Sequence, residues 1–253
     1  MLADGRRVFV KAAVDEMTDG WLRAEERIYS QVEGGFLPRF VAFVPENPSM
    51  LVLEDLSTAH WPPPWRVGDV DAVRASLASI ASTPPPAGVP SIVEDRGWLD
   101  LGWEEVERDP APFLSLRLSS RAWLEAALPT LRTAAESAPI EGDAFLHLDV
   151  RSDNLCVQRD RAILVDWNLC RIGNPLVDLA FWLPSLHAEG GPAPEEVLPD
   201  GAAELAALVA GFFAVRAGLP PAPTAPRVRT VQLSQLRVAL PWAARGLGLD
   251  SPG

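Results

Sequence analysis

The chain has 253 residues, enough for a sizeable core in one compact unit or two lobes. It is 48% hydrophobic and carries nine Trp, which excludes a disordered chain. Lys plus Arg number 22 against 34 Asp plus Glu, a formal net charge of -12 that argues against a nucleic-acid partner and against docking on an anionic membrane, and that would draw a cationic small molecule.

Residues 1–7 carry charges where a signal peptide needs an apolar run. The longest apolar stretch, Leu205 to Val215, is too short to span a bilayer. Two cysteines, Cys156 and Cys170, do not make a disulfide framework, so a reducing cytoplasm is the expected compartment. In chain order, Arg7 to Ala12 is rich in β-formers and predicts a strand, with Phe9 and Lys11 on one face because side chains alternate. A helix is predicted from Thr18 to Val32, with Trp21, Ile28 and Val32 marking its buried face. Glu25 falls in the middle of that stripe, and Glu26 turns towards its edge. A carboxylate on a buried face needs a cationic partner, because desolvating it alone is costly; Lys11 is the available one. Two more strands are predicted, Phe40 to Val44 and Met50 to Leu53, around a loop bracketed by Pro45 and Pro48.

The Pro-rich stretch from Trp61 to Trp65 reads as a hinge. Beyond it, Val70, Val73, Leu77 and Ile80 repeat at the helical period until Pro84, Pro85 and Pro86 stop them. Leu124, Leu128 and Leu131 mark another helix, with a kink or break expected at Pro129. Residues 201–217 and 227–244 give two more, separated by the prolines of 220–226, and Leu233, Leu236 and Leu240 share one side of the last. Strands around one helix, then mostly helices interrupted by one hairpin, predict an α+β chain of two lobes: a small one over residues 1–56 and a helical one over residues 57–253.

Chemistry concentrates in His147-Leu148-Asp149-Val150-Arg151-Ser152-Asp153-Asn154 and in Val165-Asp166-Trp167. A kinase-type catalytic loop has His, one residue, Asp, and an Asn five positions beyond that Asp. The Asp accepts the proton of the attacking hydroxyl, and the Asn, with a second Asp past a short hairpin, holds magnesium. Asp149, Asn154 and Asp166 match those three jobs in order. Leu155 to Val157 and Ala162 to Val165 form the hairpin, turning at residues 158–161, so that Asn154 and Asp166 land at adjacent strand ends. Taken singly, each acid at a strand end is an ordinary turn residue; the order, the spacing and the hairpin together point to phosphoryl transfer. A strand Lys paired with a helix Glu presents ammonium to nucleotide phosphates, which draws Lys11 and Glu25 into the same site. His147 is read as structural, Asp153 as metal helper or turn cap, and Arg151 as a phosphate-steadying charge or a surface residue. Cys156 and Cys170 lack a partner His for nucleophilic chemistry and read as packing.

On these residues the chain resembles the aminoglycoside phosphotransferase and choline kinase group, small-molecule kinases with a protein-kinase-like fold. Gly173-Asn174-Pro175-Leu176-Val177-Asp178-Leu179-Ala180 and Leu53-Glu54-Asp55-Leu56 extend the likeness, which runs from Val8 to about Leu186. The resemblance implies ATP and Mg2+ as cofactors, Asp149 as base, Asn154 and Asp166 as metal ligands, and Lys11 with Glu25 as the ATP anchor. It also implies that backbone groups of Glu54, Asp55 and Leu56 receive the adenine, that Asp178 braces the catalytic loop, and that the last helices build the acceptor pocket. The acceptor would be a small molecule, and the acids Glu189, Glu195, Glu196 and Asp200 would favour a cationic one.

Three departures accompany the likeness. Leu148 replaces the Gly usual between the His and the Asp, a modest change if the backbone there is not left-handed. Asn168 stands where many relatives carry an acid. Only ten residues precede Lys11, too few for the strands and phosphate-covering loop of a kinase small lobe, so either the true start lies upstream or ATP is clamped poorly. Two other readings compete: a catalytically impaired pseudokinase or nucleotide-binding regulatory module, and a metal-dependent hydrolase using His147, Asp149 and Asp166. The second is weakened by a chain with only three His.

Overall fold

A computed structural model describes residue 5 and residues 7–198, 202–223 and 225–253, and the backbone alone of residues 95–98, 100 and 101. The chain packs as two compact units, Met1–Pro90 with Gly142–Asp178, and Ser91–Glu141 with Leu179–Gly253.

The first unit begins with β1 (Val8–Ala12), α1 (Glu16–Gln31), β2 (Phe40–Val44) and β3 (Met50–Glu54). The three strands form an antiparallel sheet in the order β1-β3-β2, with Lys11 opposite Leu51 and Phe9 opposite Leu53. β3 is central, and its Leu51 and Leu53 point into the core. α1 begins earlier than its apolar pattern suggests because Asp15 caps it: the Asp15 carboxylate accepts from the Thr18 N–H at 2.8 Å, and the Thr18 hydroxyl accepts from the Asp15 N–H at 3.0 Å. Its buried face is Leu22, Glu25, Ile28 and Tyr29. Trp21 is a correction: it is 43% exposed, and Leu22, one position on, takes the core position, while Glu25, Ile28 and Val32 are buried as expected.

Next come α2 (Asp69–Ala81), β4 (Ala144–Leu146), β5 (Leu155–Gln158), β6 (Arg161–Leu164) and β7 (Arg171–Gly173). β5 and β6 form the expected hairpin, closed by Arg159 and Asp160, both at positive φ, the backbone that a two-residue turn of matching twist requires. β4 pairs with β7, so the chain entering the catalytic loop and the chain leaving the Asp166 segment run side by side. Trp167 is the plug beneath them: its ring stacks on Phe145 at 5.3 Å, meets His147 edge-on at 4.6 Å, and its indole N–H donates to the Leu164 carbonyl at 3.0 Å.

The second unit is helical. It contains α3 (Arg96–Arg108), α4 (Ala111–Ser115), α5 (Arg121–Glu136), most of α6 (Leu176–Ala188), α7 (Pro194–Val197), α8 (Ala203–Ala217) and α9 (Val228–Gly246). α8 is buried from Leu205 to Gly211 without a polar face, which makes it the core helix of this unit. Trp103 on α3 donates its indole N–H to the Ala207 carbonyl at 2.8 Å. Of the kink or break expected at Pro129, the break does not occur: α5 continues through it, with Pro129 on the exposed side and Leu124, Ala127, Leu131 and Ala134 in the core. Among the described residues, no helix is long and apolar enough to cross a membrane.

Candidate active site

The site is built within the first unit, from β1, α1, the end of β3 and the loops around the β5–β6 hairpin. Lys11 shares a β1 face with Phe9, as alternation requires, on the same side of the sheet as their cross-strand partners Leu51 and Leu53. Its ammonium donates to Glu25 Oε1 at 2.5 Å and to Asp166 Oδ1 at 2.7 Å. Glu25 is 1% exposed, so Lys11 is the cation that makes its burial tolerable. Burial pushes the Glu25 carboxyl up to about 7, against the pull of Lys11. Lys11 is itself raised: burial opposes its charge, and Glu25 and Asp166 together outweigh burial.

The catalytic loop is organised by hydrogen bonds to its backbone. The buried Asp178 carboxylate accepts from the His147 N–H and the Leu148 N–H, both at 2.7 Å. This clamp holds Leu148 at φ 61°, in the left-handed region, so the condition under which Leu148 was a modest departure from Gly is not met. His147 Nδ1 accepts from the Asp149 N–H at 3.2 Å and His147 Nε2 faces the Val165 carbonyl at 2.9 Å. These partners fix a neutral ring protonated at Nε2, consistent with burial lowering its basicity, and His147 is structural.

Asn154 Nδ2 donates to the Asp149 carbonyl at 3.0 Å and to Asp149 Oδ2 at 2.8 Å. Both partners are acceptors, so the amide nitrogen must face them and Oδ1 must face away. The Val165 N–H donates to the Asn154 carbonyl at 2.8 Å, which sets Asp166 next to Asn154 across the hairpin ends. Asp149 is raised by burial, against Arg151 and Asn154. Arg151 Nε lies 3.6 Å from Asp149 Oδ1, and the guanidinium grips Asp153 through two bonds of 2.9 and 2.7 Å. Asp153 is therefore the counter-ion of Arg151. Cys156 and Cys170 are buried packing residues, with burial pushing their thiols up to about 12 and about 11.

Lys11, Glu25, Glu54, Asp55, Leu56, Asn154 and Asp166 all line one cavity of about 460 Å3. Asp149 is not on that lining; it reaches the cavity wall through Asn154. The Glu54 N–H is spent on the Arg39 carbonyl at 3.0 Å, and the Leu56 carbonyl on the Ala59 N–H at 3.0 Å and the Trp61 indole at 3.1 Å. Asp55 accepts from the Ser57 N–H at 2.9 Å and pairs with Arg7. The sequence reading assigns four wall residues no part in the site: Tyr29, Pro38, Ser57 and Trp61. Tyr29 was findable as the residue one turn beyond Glu25 on the same helix face; Pro38 and Trp61 carry no local signal.

Among the described residues, no group of three or more His, Cys, Asp or Glu gathers as a protein-only metal site. A magnesium ion that arrives with phosphates needs only one or two protein oxygens. Asn154 Oδ1 and the Asp166 carboxylate offer hard oxygen donors on one cavity wall and fit that requirement. Two acids of the 189–200 stretch are engaged within the fold: Glu195 pairs with Arg245 at 2.5 Å, and Glu196 accepts from the Ala193 N–H at 2.8 Å. Asp200 lies outside the described residues.

A three-stranded sheet, a helix that hands its Glu to the sheet's Lys, and a loop that ties an Asp to an Asn make up a protein-kinase-like arrangement. The family model for the phosphotransferase enzyme family matches residues 62–233, more than half of the chain, and the chain belongs to that family. No curated protein sequence matches it. Among solved structures, a thermostable mutant of aminoglycoside phosphotransferase APH(4)-Ia, in ternary complex with AMP-PNP and hygromycin B, is similar over 96% of this chain and 87% of its own, at 16% identity and a TM-score of 0.61. A choline/ethanolamine kinase family protein from Mesorhizobium loti is similar over 96% and 86%, at 15% identity and a TM-score of 0.58. Choline kinase LicA from Streptococcus pneumoniae is similar over the same shares, at 15% identity and a TM-score of 0.54. At these identities the likeness is one of fold.

Proposed function

We propose that the chain moves the γ-phosphoryl group of ATP to a hydroxyl of a small molecule, with Asp149 as the base. In this reading residues 1–56 form the nucleotide-anchoring lobe and residues 57–253 the lobe that carries the catalytic loop. The observation that carries it is the chain of contacts Glu25–Lys11–Asp166 and Asp149–Asn154, which gathers cation and oxygen ligands at one cavity and ties the base to it through Asn154.

Lys11 meets the α- and β-phosphates, and Glu25 holds it there. The adenine lies against Phe9, Leu53 and Val165 and meets the backbone of the Glu54, Asp55 and Leu56 segment, where the Leu56 carbonyl is spent on Ala59 and Trp61. Asn154 Oδ1 and Asp166 would hold magnesium, which supplies charge neutralisation between the phosphates. Asp149, made more basic by burial, accepts the proton of the acceptor hydroxyl as the hydroxyl oxygen bonds to phosphorus and the bond to ADP breaks. Arg151, close to Asp149, adds positive charge on the side where the transferred group leaves negative charge. The acceptor is a small hydroxyl compound, an amino sugar, amino alcohol or sugar. A cationic acceptor is favoured by the net charge of -12 and not by Glu195 or Glu196, which are engaged within the fold.

The test is transfer of labelled phosphate from ATP over a panel of amino sugars, amines and alcohols. Asp149→Asn is expected to lower kcat by about 10²–10⁴-fold, the range for loss of a general base, with ATP affinity retained. Magnesium-ATP is expected to raise the melting temperature of the parent but not of Asp166→Ala. Transfer to no acceptor with nucleotide binding intact would overturn the enzymatic reading in favour of a nucleotide-binding regulator.

A further inference from the structure

Asp149 has two carboxylate oxygens, and the catalytic loop treats them differently. Oδ2 accepts from the Asn154 amide at 2.8 Å. Oδ1 stands 3.6 Å from Arg151 Nε, beyond hydrogen-bond reach. The Arg151 guanidinium is committed to Asp153 instead, Nε to Oδ1 at 2.9 Å and Nη2 to Oδ2 at 2.7 Å. Nε carries a single hydrogen, so the donor that stands by Asp149 is spent on Asp153.

The backbone explains the pairing. The Asn154 N–H donates to the Arg151 carbonyl at 2.9 Å, which closes a turn over residues 151–154 and brings Asp153 back onto Arg151. The two side chains are 30% and 67% exposed, and an ion pair so open to water contributes little to stability. Its consequence lies in where it leaves the guanidinium. Without Asp153, the carboxylate within ion-pair reach of Nε is Asp149, and a shift of less than about 1 Å would turn that approach into a charge-assisted hydrogen bond.

We propose that Asp153 is a positioning residue: by holding the Arg151 guanidinium it keeps Asp149 Oδ1 open to the acceptor hydroxyl. A guanidinium bonded to Oδ1 would compete with the hydroxyl for that oxygen. Held by Asp153, it stays near enough to act on the transferred group without covering the base. Asp153 lines the cavity beside Asn154, but both its oxygens are spent on Arg151, which sets this role apart from magnesium binding. The proposal rests on reading Asp149 as the base.

A ligand-free crystal structure of Asp153→Ala tests the geometry without any substrate. Arg151 is expected to be hydrogen-bonded to Asp149 Oδ1, at about 2.7–3.2 Å. A guanidinium that stays off Asp149 overturns the proposal. Release of phosphate from magnesium-ATP, with water as the acceptor, tests the consequence. Asp153→Ala is expected to lower kcat by about 10- to 100-fold, the strength of one hydrogen bond between charged groups, with KM for ATP unchanged. Arg151→Gln is expected to lower kcat in the parent and to raise it in Asp153→Ala. Losses that simply multiply in the double variant overturn the proposal, and so does a loss that excess magnesium relieves, which would make Asp153 a metal ligand. A parent that neither hydrolyses ATP nor transfers phosphate to the acceptor panel overturns the kinase reading and with it the role of Oδ1, while the crystal structure still reports the Arg151 contact.

Discussion

Leu148 shows how a single residue can carry a conflict between its own preference and its neighbours'. Asp178 accepts both the His147 and the Leu148 N–H, and with this clamp in place Leu148 stands at φ 61°. A left-handed L-residue costs about 1–2 kcal/mol, and a Gly there gives some of that back in unfolded-chain entropy, about 0.4–1 kcal/mol. Leu148→Gly is therefore expected to be as stable as the parent or up to about 1 kcal/mol more so, and the β-branched Leu148→Val less stable by about 1–2 kcal/mol, both read by denaturant midpoints. A parent more stable than the Gly variant would show that Leu148 packing outweighs its backbone strain. Glu25 makes a pH prediction. Its folded carboxyl stands at about 7 against an ordinary 4.5, so the folded chain keeps a proton that the unfolded chain has lost. The stability tied to it is fully present below the ordinary value and is lost as pH rises through 7. Glu25→Gln lacks that loss, so the melting temperature of the variant minus that of the parent is expected to increase from about pH 5 to about pH 8. A gap that stays constant over this range would place the Glu25 ionisation outside it. At this scale the sequence showed Glu25 in an apolar stripe and Lys11 one element earlier, and the pair formed. It could not show the Asp178 clamp, because the conformation of Leu148 is imposed by a residue 30 positions further on.

At the scale of elements, two glycines in helices make opposite predictions. Gly20 in α1 has open space where a Cβ would stand, whereas a Cβ on Gly102 in α3 would lie 2.3 Å from the Gly211 backbone of α8. Gly20→Ala is expected to stabilise by about 0.5–1 kcal/mol through helix propensity, and Gly102→Ala to destabilise by about 1–3 kcal/mol by forcing the two helices apart. Thermal unfolding of both variants checks the pair, and a Gly102→Ala protein as stable as its parent would refute the close approach. Nothing local distinguishes these glycines in the sequence; only the partner of each helix does. The same reason explains why α1, α2 and α9 were legible while α3, α4, α6 and α7 were not. The first three present an apolar stripe against a polar face or end at clear stop signals, and α6 is so apolar that no face stands out. In α1 only Trp21 was misplaced, since it is as apolar as Leu22 and the packing decides which of the two is covered.

For the whole molecule, every residue assigned to nucleotide, metal or base lies in the unit formed by Met1–Pro90 and Gly142–Asp178. Nucleotide binding is therefore expected to slow amide exchange in β1, β3, α1 and the β5–β6 hairpin far more than in α8 and α9, measured with and without magnesium-ATP. Equal slowing in α8 and α9 would mean that the nucleotide is felt across both units. The sequence by itself determined the catalytic loop, the hairpin, the Lys11 and Glu25 positions and the α+β class, because each rests on spacing within one or two adjacent elements. The tertiary structure alone decided that Asp166 completes the Lys11 pair from 155 positions away and that Asp178 clamps the Leu148 backbone. Periodicity fixes which side of an element is apolar, but a hydrogen bond depends on the partner that folding brings to that side.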